Sequence, residues 1–174
     1  LSHTSQRISS EYIPYAVACI KSYYHEHGRY DADIDLVKFP EDLSPNFSAR
    51  KPAIVAFSNY MWNTDLNYSF AKAIKKASPE TLVVFGSRNY PLETHRQSRW
   101  FQERPAVDFY VIGEGEEPFQ QLADIWLETR SCDKIRDAEI AGVHSYRDGA
   151  LIKSGPVRKD KYDQEPRIKD LTVI

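Results

Sequence analysis

The sequence predicts a doubly wound α/β fold with a mainly parallel sheet and a C-terminal β-hairpin. Three observations carry this. Short apolar runs rich in β-branched residues recur along the chain, amphipathic stretches with helical spacing lie between them, and an Asp-Gly step near the end is flanked by two strand-like segments.

The apolar runs are Ala53-Ile54-Val55-Ala56-Phe57, Leu82-Val83-Val84-Phe85 and Phe109-Tyr110-Val111-Ile112. Runs this short and this apolar read as strands buried on both faces. Ile34 to Phe39 alternates more and reads as an outer strand. Residues 11–27 read as a helix, with Ile13, Ala16, Val17, Ile20 and Tyr24 on one face, Ser10 as its cap and Gly28 at its end. Residues 64–77 place Leu66, Phe70, Ala73 and Ile74 together, and residues 117–129 do the same for Phe119, Leu122, Ala123 and Trp126. Residues 93–102 are a weaker helix. Residues 142–146 and 150–153 flank Arg147-Asp148-Gly149 as a hairpin. After Gly155 the chain turns charged and Pro-interrupted, which reads as a linker.

Composition narrows the function. A chain of 174 residues, 41% hydrophobic and 28% charged, suits one domain with a sizeable core and not a disordered segment. A formal charge of -2 provides no field to attract a polyanion, so neither nucleic acid nor a membrane surface is an expected partner. Cys19 and Cys132 are too few and too far apart for a disulfide framework or a metal cluster, and two reduced thiols suit a cytoplasmic protein. No apolar stretch is long enough to span a membrane, and LSHTSQRISS has no apolar signal core. The missing initiator Met suggests an excised piece of a longer chain.

In an open parallel sheet, ligands bind beyond the carboxyl ends of the strands. The segments after the three buried strands are therefore the candidate site: Ser58-Asn59-Tyr60-Met61-Trp62-Asn63, then Gly86-Ser87-Arg88-Asn89, then Gly113-Glu114-Gly115-Glu116. Their glycines and small polar groups let a large ligand approach the backbone, and Tyr60 and Trp62 can flank a flat one. The bland alternative is that Glu116 and Glu117 only complement a helix dipole and Gly113 and Gly115 only shape a turn. Glu114 with Glu116 has no nucleophile or histidine beside it to form an acid/base site. No Gly-Lys-Ser/Thr follows the first strand, and no dinucleotide fingerprint is present. His25, His27, His95 and His144 lack a second ligand at workable spacing, so no metal site is expected.

Taken in order, the loops resemble a known pattern. A strand ending in SxYxWN leads to a helix with a Lys-rich last turn. A Pro79-x-Thr81-Leu82-Val83-Val84-Phe85-Gly86 strand follows, and then Val107-Asp108-Phe109-Tyr110-Val111-Ile112 runs into Gly113-Glu114-Gly115-Glu116-x-x-Phe119. Over residues 12–155 the chain resembles the N-terminal cobalamin (B12)-binding domain of cobalamin-dependent radical SAM proteins. The resemblance implies a flavodoxin-like Rossmann domain over residues 1–155, with its first strand truncated. It implies cobalamin held His-off over the strand ends, with the three loops as cofactor-binding residues and no catalytic residue in this chain. Residues 156–174 would then lead to a missing radical SAM domain of the same polypeptide, which would carry a 4Fe-4S cluster and S-adenosylmethionine; the full enzyme would transfer methyl groups or rearrange its substrate. Family members commonly carry two glycines where this chain has Gly86-Ser87, and Pro where it has Arg88. That departure motivates an alternative: a degenerate domain, without cobalamin, that serves as a structural or partner-docking module.

Overall fold

The computed structural model describes residues 14–155. Five strands form one sheet in the order β1 (Ile54–Ser58), β2 (Leu82–Gly86), β3 (Phe109–Val111), β4 (Val143–Arg147) and β5 (Ala150–Lys153). The β1–β2 and β2–β3 pairs are parallel; β4 and β5 join antiparallel as a hairpin on β3. The hairpin turns at Asp148 (φ 51°) and Gly149 (φ 82°), two positive φ values in succession that match the right-handed twist of the strands. The expected α/β architecture is therefore present, and its parallel part is the first three strands.

Helices cover both faces. One face packs α2 (Pro40–Arg50), α3 (Thr64–Ala77) and α4 (Thr94–Gln102) on the sheet, through Leu43, Ala71, Ile74, Trp100 and Phe101 against Phe57, Phe85 and Tyr110. The other face packs α5 (Glu116–Thr129) and α6 (Cys132–Asp137), through Leu122, Trp126 and Ile135 against Leu82, Val84 and Phe109. The remaining helix, α1 (Tyr15–His27), lies against α5. Val83, Val84, Phe85, Phe109 and Tyr110 are almost wholly buried, because each successive side chain of a centrally placed strand meets a helix layer.

Some sequence expectations need correction. Ile34 to Phe39 is no strand: residues 31–38 have no regular secondary structure, and β1 pairs only with β2. An extended segment becomes a strand only when a neighbouring strand accepts its backbone groups, and among the described residues no strand pairs with this one. Two helices, α2 and α6, went unanticipated. In α2, Pro40 occupies the first turn with Glu41 and Asp42, favourable to the helix dipole, but its apolar spacing is sparse. Ala16 and Ala73 are exposed instead of packed; Ala18, Cys19 and Tyr24 are the buried residues of α1. The proposed Ser10 cap and the linker at 156–174 lie outside the described residues.

Part of the patterned sequence serves the opposite, N-terminal edge of the sheet. Lys75 of the Lys-rich turn reaches Asp108 at 2.6 Å and the Thr81 carbonyl at 2.8 Å, while Asp108 accepts the Val83 N–H at 2.7 Å. These residues join α3 to the starts of β2 and β3, which is a structural role.

Candidate functional site

All three expected loops meet at the carboxyl ends of the parallel strands. The first two are stitched together by asparagines. Asn59, fully buried, donates its backbone N–H to the Gly86 carbonyl at 2.8 Å, and its Nδ2 donates to the Asn89 carbonyl at 3.0 Å. Its Oδ1 lies 3.0 Å from the Thr64 hydroxyl, which also accepts from Asn89 Nδ2. Asn63, equally buried, accepts the Tyr60 N–H at 2.8 Å and donates to the Ser58 carbonyl at 2.9 Å, closing the first loop on itself.

Beneath the loops stands Tyr110 of β3. Its hydroxyl accepts from Asn59 Nδ2 at 3.3 Å and faces the Ser87 carbonyl at 3.0 Å, so one phenol pins both loops. Its ring stacks on Tyr90 at 4.1 Å and meets Trp100 edge-on at 5.1 Å. Burial raises the pKa of both tyrosines well above the ordinary phenol value, which keeps each hydroxyl protonated as a donor.

Above the loops the first segment presents an aromatic platform. Tyr60 and Trp62 stack with centroids 4.6 Å apart and planes within 5°. Met61 is 83% exposed and Trp62 64%, a degree of apolar exposure that burial on folding would ordinarily remove. The third loop is open too: Gly113 (φ 78°) and Glu114 are exposed, and Gly115 caps α5. A Cβ on Gly115 would meet Ile20 Cδ1 at 3.3 Å, so this glycine also lets α1 lie close. Glu116 and Glu117 sit in the first turn of α5, where their charge complements the helix dipole.

Ser87 adopts φ 86°, a region that suits glycine. Relief of that strain, about 1–3 kcal/mol, outweighs the extra chain entropy of glycine in the unfolded state. Ser87→Gly is therefore expected to stabilise the protein by about 1 kcal/mol, read as a higher midpoint in urea. An unchanged or lower midpoint would show that the serine side chain offsets the strain it causes. Arg88 is exposed.

Sequence reasoning overlooked Thr64, Asn67 and Tyr110 as members of this region. Asn67 is fully buried and donates to the Ser58 carbonyl at 3.1 Å, while its Oδ1 has no partner. A polar residue inside a helix that reads as amphipathic was the available signal. Tyr110 was hidden in an apolar run, where a phenol looks like core. The histidines stand apart. His144 pairs with Tyr110 in mid-sheet register and lies 3.2 Å from the Tyr90 hydroxyl; burial, helped by Lys153, lowers its pKa to about 4, so it is neutral at pH 7. His27 stacks on Tyr23, and His25 and His95 are exposed.

An open α/β sheet with helices on both faces and three polar loops gathered at its carboxyl edge, two of them carrying glycine, defines a flavodoxin-like domain. Comparison with known proteins bears out the resemblance carried by those loops: the relatives of this chain are cobalamin-dependent radical SAM methyltransferases. It is 35% identical over 109 residues, 63% of its length, to the cobalamin-dependent radical SAM methyltransferase TokK of Streptomyces tokunonensis. It is 28% identical over 117 residues to the 2-(S-pantetheinyl)-carbapenam-3-carboxylate methyltransferase of Streptantibioticus cattleyicolor. The fold matches the radical S-adenosylmethionine methyltransferase TsrM of Kitasatospora setae, solved with cobalamin and a 4Fe-4S cluster bound. That match has a TM-score of 0.64 and 16% identity, and covers 91% of this chain and 30% of that one. The chain spans only 15% and 16% of the two curated relatives. No protein-family model matches it. Among the described residues, no helix is long and apolar enough to cross a membrane.

Proposed function

We propose that residues 1–155 are the cobalamin-binding module of a longer radical SAM enzyme, with 156–174 leading toward the domain that holds a 4Fe-4S cluster and S-adenosylmethionine. The observation that carries this reading is the convergence of Ser58–Asn63, Gly86–Asn89 and Gly113–Glu116 on one sheet edge, in the order found in the resemblance. The residues fit the group chemically. The exposed Gly113 and Glu114 leave backbone of the third loop open to an amide- and phosphate-bearing tail, and the Tyr60–Trp62 stack with Met61 offers a flat apolar face for the corrin. The unpaired Oδ1 of Asn67 is an acceptor held ready beneath the first loop. When bound, cobalamin supplies a cobalt centre able to carry a methyl group. The chain's own residues hold and orient it.

Binding is His-off in this reading, because His144 is engaged with Tyr90 inside the sheet and the other described histidines lie outside the three loops. The full protein is a methyltransferase acting in the cytoplasm; neither Cys19 nor Cys132 forms a disulfide, which suits a reducing compartment. A second reading, a degenerate domain that docks a partner without cobalamin, draws support from the direct Asn59–Asn89 hydrogen bonds that close the space between the first two loops.

Hydroxocobalamin separates the two. After incubation with the purified chain and desalting, corrin absorbance should co-elute with the protein, and Trp62→Ala should reduce the bound fraction several-fold. Absence of any co-eluting corrin at micromolar protein would favour the degenerate module. Recovery of binding in a Ser87→Gly, Arg88→Pro double variant would then trace the loss to those two positions.

A further inference from the structure

A row of aromatic rings leads from the exposed loop face into the sheet. Tyr60 and Trp62 form its outer pair, stacked at 4.6 Å, and Trp62 is 64% exposed. Tyr110 comes next. Asn59, the residue before Tyr60, donates to the Tyr110 hydroxyl at 3.3 Å, and the Tyr60 phenol stands near enough for its charge to add to burial in raising the Tyr110 pKa. Tyr110 stacks on Tyr90 at 4.1 Å, and Trp100 meets both rings edge-on, at 5.1 and 5.5 Å. Electron transfer between rings weakens steeply with distance, so a row like this carries an electron in short steps where one long step would fail.

Packing accounts for the rings but not for the group at the inner end of the row. The Tyr90 hydroxyl lies 3.2 Å from His144 Nδ1. His144 is 8% exposed and pairs with Tyr110 across the β3–β4 ladder. Burial, and then the charge of its cross-strand neighbour Lys153, keep a second proton off the resting ring. With Nε2 carrying the ring proton, Nδ1 accepts from the phenol. Tyr110 has no such base: its hydroxyl meets the Asn59 amide and the Ser87 carbonyl, neither of which can take up a proton.

An oxidised phenol is a far stronger acid than a phenol. A neutral imidazole within hydrogen-bond reach therefore takes the proton as the electron leaves. A phenol that sheds its proton in this way gives up an electron more readily than an indole that keeps its own. An oxidation begun at Trp62 accordingly draws its electron from Tyr90, by way of Tyr60 and Tyr110.

We propose that Tyr90, paired with His144, is a redox-active tyrosine that supplies one electron to an organic radical arriving at the Trp62 face. The radical gains that electron and becomes a closed-shell anion. The Tyr90 O–H bond breaks, its proton passes to His144 Nδ1, and a neutral phenoxyl radical remains on Tyr90. A soluble one-electron reductant of the ascorbate class then returns the electron, and His144 returns the proton. The pair thus quenches a stray radical at the loop face before it damages the loops. The inference rests on the rings and on His144, and holds with or without cobalamin at that face.

A photo-oxidant fixed beside Trp62 tests it. The full chain with Met61→Cys and Cys132→Ser carries a ruthenium tris-bipyridine label at the exposed position 61, Cys19 being buried. A laser flash with an electron-accepting quencher then produces the one-electron oxidant in place. An indole radical should form and give way to a neutral tyrosyl radical, more slowly in deuterium oxide. Tyr90→Phe keeps the ring stack and should remove most of the tyrosyl yield. His144→Gln keeps an acceptor for the phenol but no base, and should slow tyrosyl formation about tenfold or more. With Tyr90 and His144 both intact, high-field EPR should find the phenoxyl oxygen hydrogen-bonded to an imidazolium, a measurement that needs no change at the pair. A tyrosyl radical that survives Tyr90→Phe at the parent yield, or that carries no such bond, places the electron donor elsewhere and overturns the proposal. So does an indole radical that decays with no tyrosyl following it, or tyrosyl formation at the parent rate in His144→Gln.

Discussion

Tyr110→Ala is expected to destabilise the protein by about 3–5 kcal/mol, measured as the shift in equilibrium unfolding by urea. Tyr110 is fully buried, and its ring contacts Tyr90 and Trp100 between β3 and α4. Truncation leaves a ring-sized cavity in a packed core, and neighbours held by sheet and helix relax into it only in part. Tyr110→Phe separates packing from hydrogen bonding. It retains the ring and leaves Asn59 Nδ2 and the Ser87 carbonyl one partner short, for an expected cost of about 1–2 kcal/mol. The Phe variant should also expose the amides of residues 87 and 88 to faster exchange, since the phenol faces the Ser87 carbonyl while Asn59 holds Gly86 and Asn89. Equal stability of the Phe variant and the parent would mean that the hydroxyl merely accompanies the ring.

The second large effect falls at Asp124, on the opposite face. This carboxylate is 1% exposed and gathers three elements: Tyr24 donates to Oδ1 at 2.9 Å, the Arg29 backbone N–H donates to Oδ1 at 3.0 Å, and Gln120 donates to Oδ2 at 2.5 Å. The Arg29 side chain also approaches Oδ2, at 3.5 Å, but more than half of it is in solvent, so that ion pair adds little. Burial, then the hydrogen bond to Asp124, raises the Tyr24 hydroxyl well above its usual pKa, so Tyr24 remains a donor throughout the working range. Asp124→Ala strands the buried Tyr24 hydroxyl and the Arg29 amide together, for an expected loss of about 2–4 kcal/mol. Because α1 packs chiefly on α5, hydrogen exchange should show α1 loosening before the sheet does. Asp124→Asn keeps an acceptor for Tyr24 and should cost less than half as much. A cost within about 0.5 kcal/mol for the alanine variant would place it among ordinary surface changes and refute the clamp.

The parts of this fold that were legible in the sequence are the ones set by local chemistry. Apolar runs of four or five residues marked β1, β2 and β3 because a strand between two helix layers hides successive side chains; β2 and β3 do so throughout their apolar residues, while Ala56 of β1 is exposed. Asp148-Gly149 marked the hairpin because few other pairs accept two positive φ values. The gathering of the loops after the three strands was legible for a related reason: parallel strands end on the same edge, so the segments leaving them must meet there. Ser87 was visible as a departure, but its consequence, a serine held at φ 86°, came only with the backbone.

What the sequence determined by itself is therefore an α/β domain, too neutral to attract polyanions, with a candidate site at the edge where residues 58–63, 86–89 and 113–116 lie. The tertiary structure decided the rest. It made Asn59, Asn63 and Tyr110 the frame of that edge, turned Asp124 into the joint between α1 and α5, and left residues 34–37 outside the sheet of the described residues. Each of these depends on partners from 3 to 100 positions away, as in Tyr24 with Asp124. Side-chain spacing records which face of an element is apolar; it does not record which distant backbone or carboxylate will stand opposite. That is settled when the layers close, and an edge strand becomes part of a ladder only if its neighbour is there to receive it.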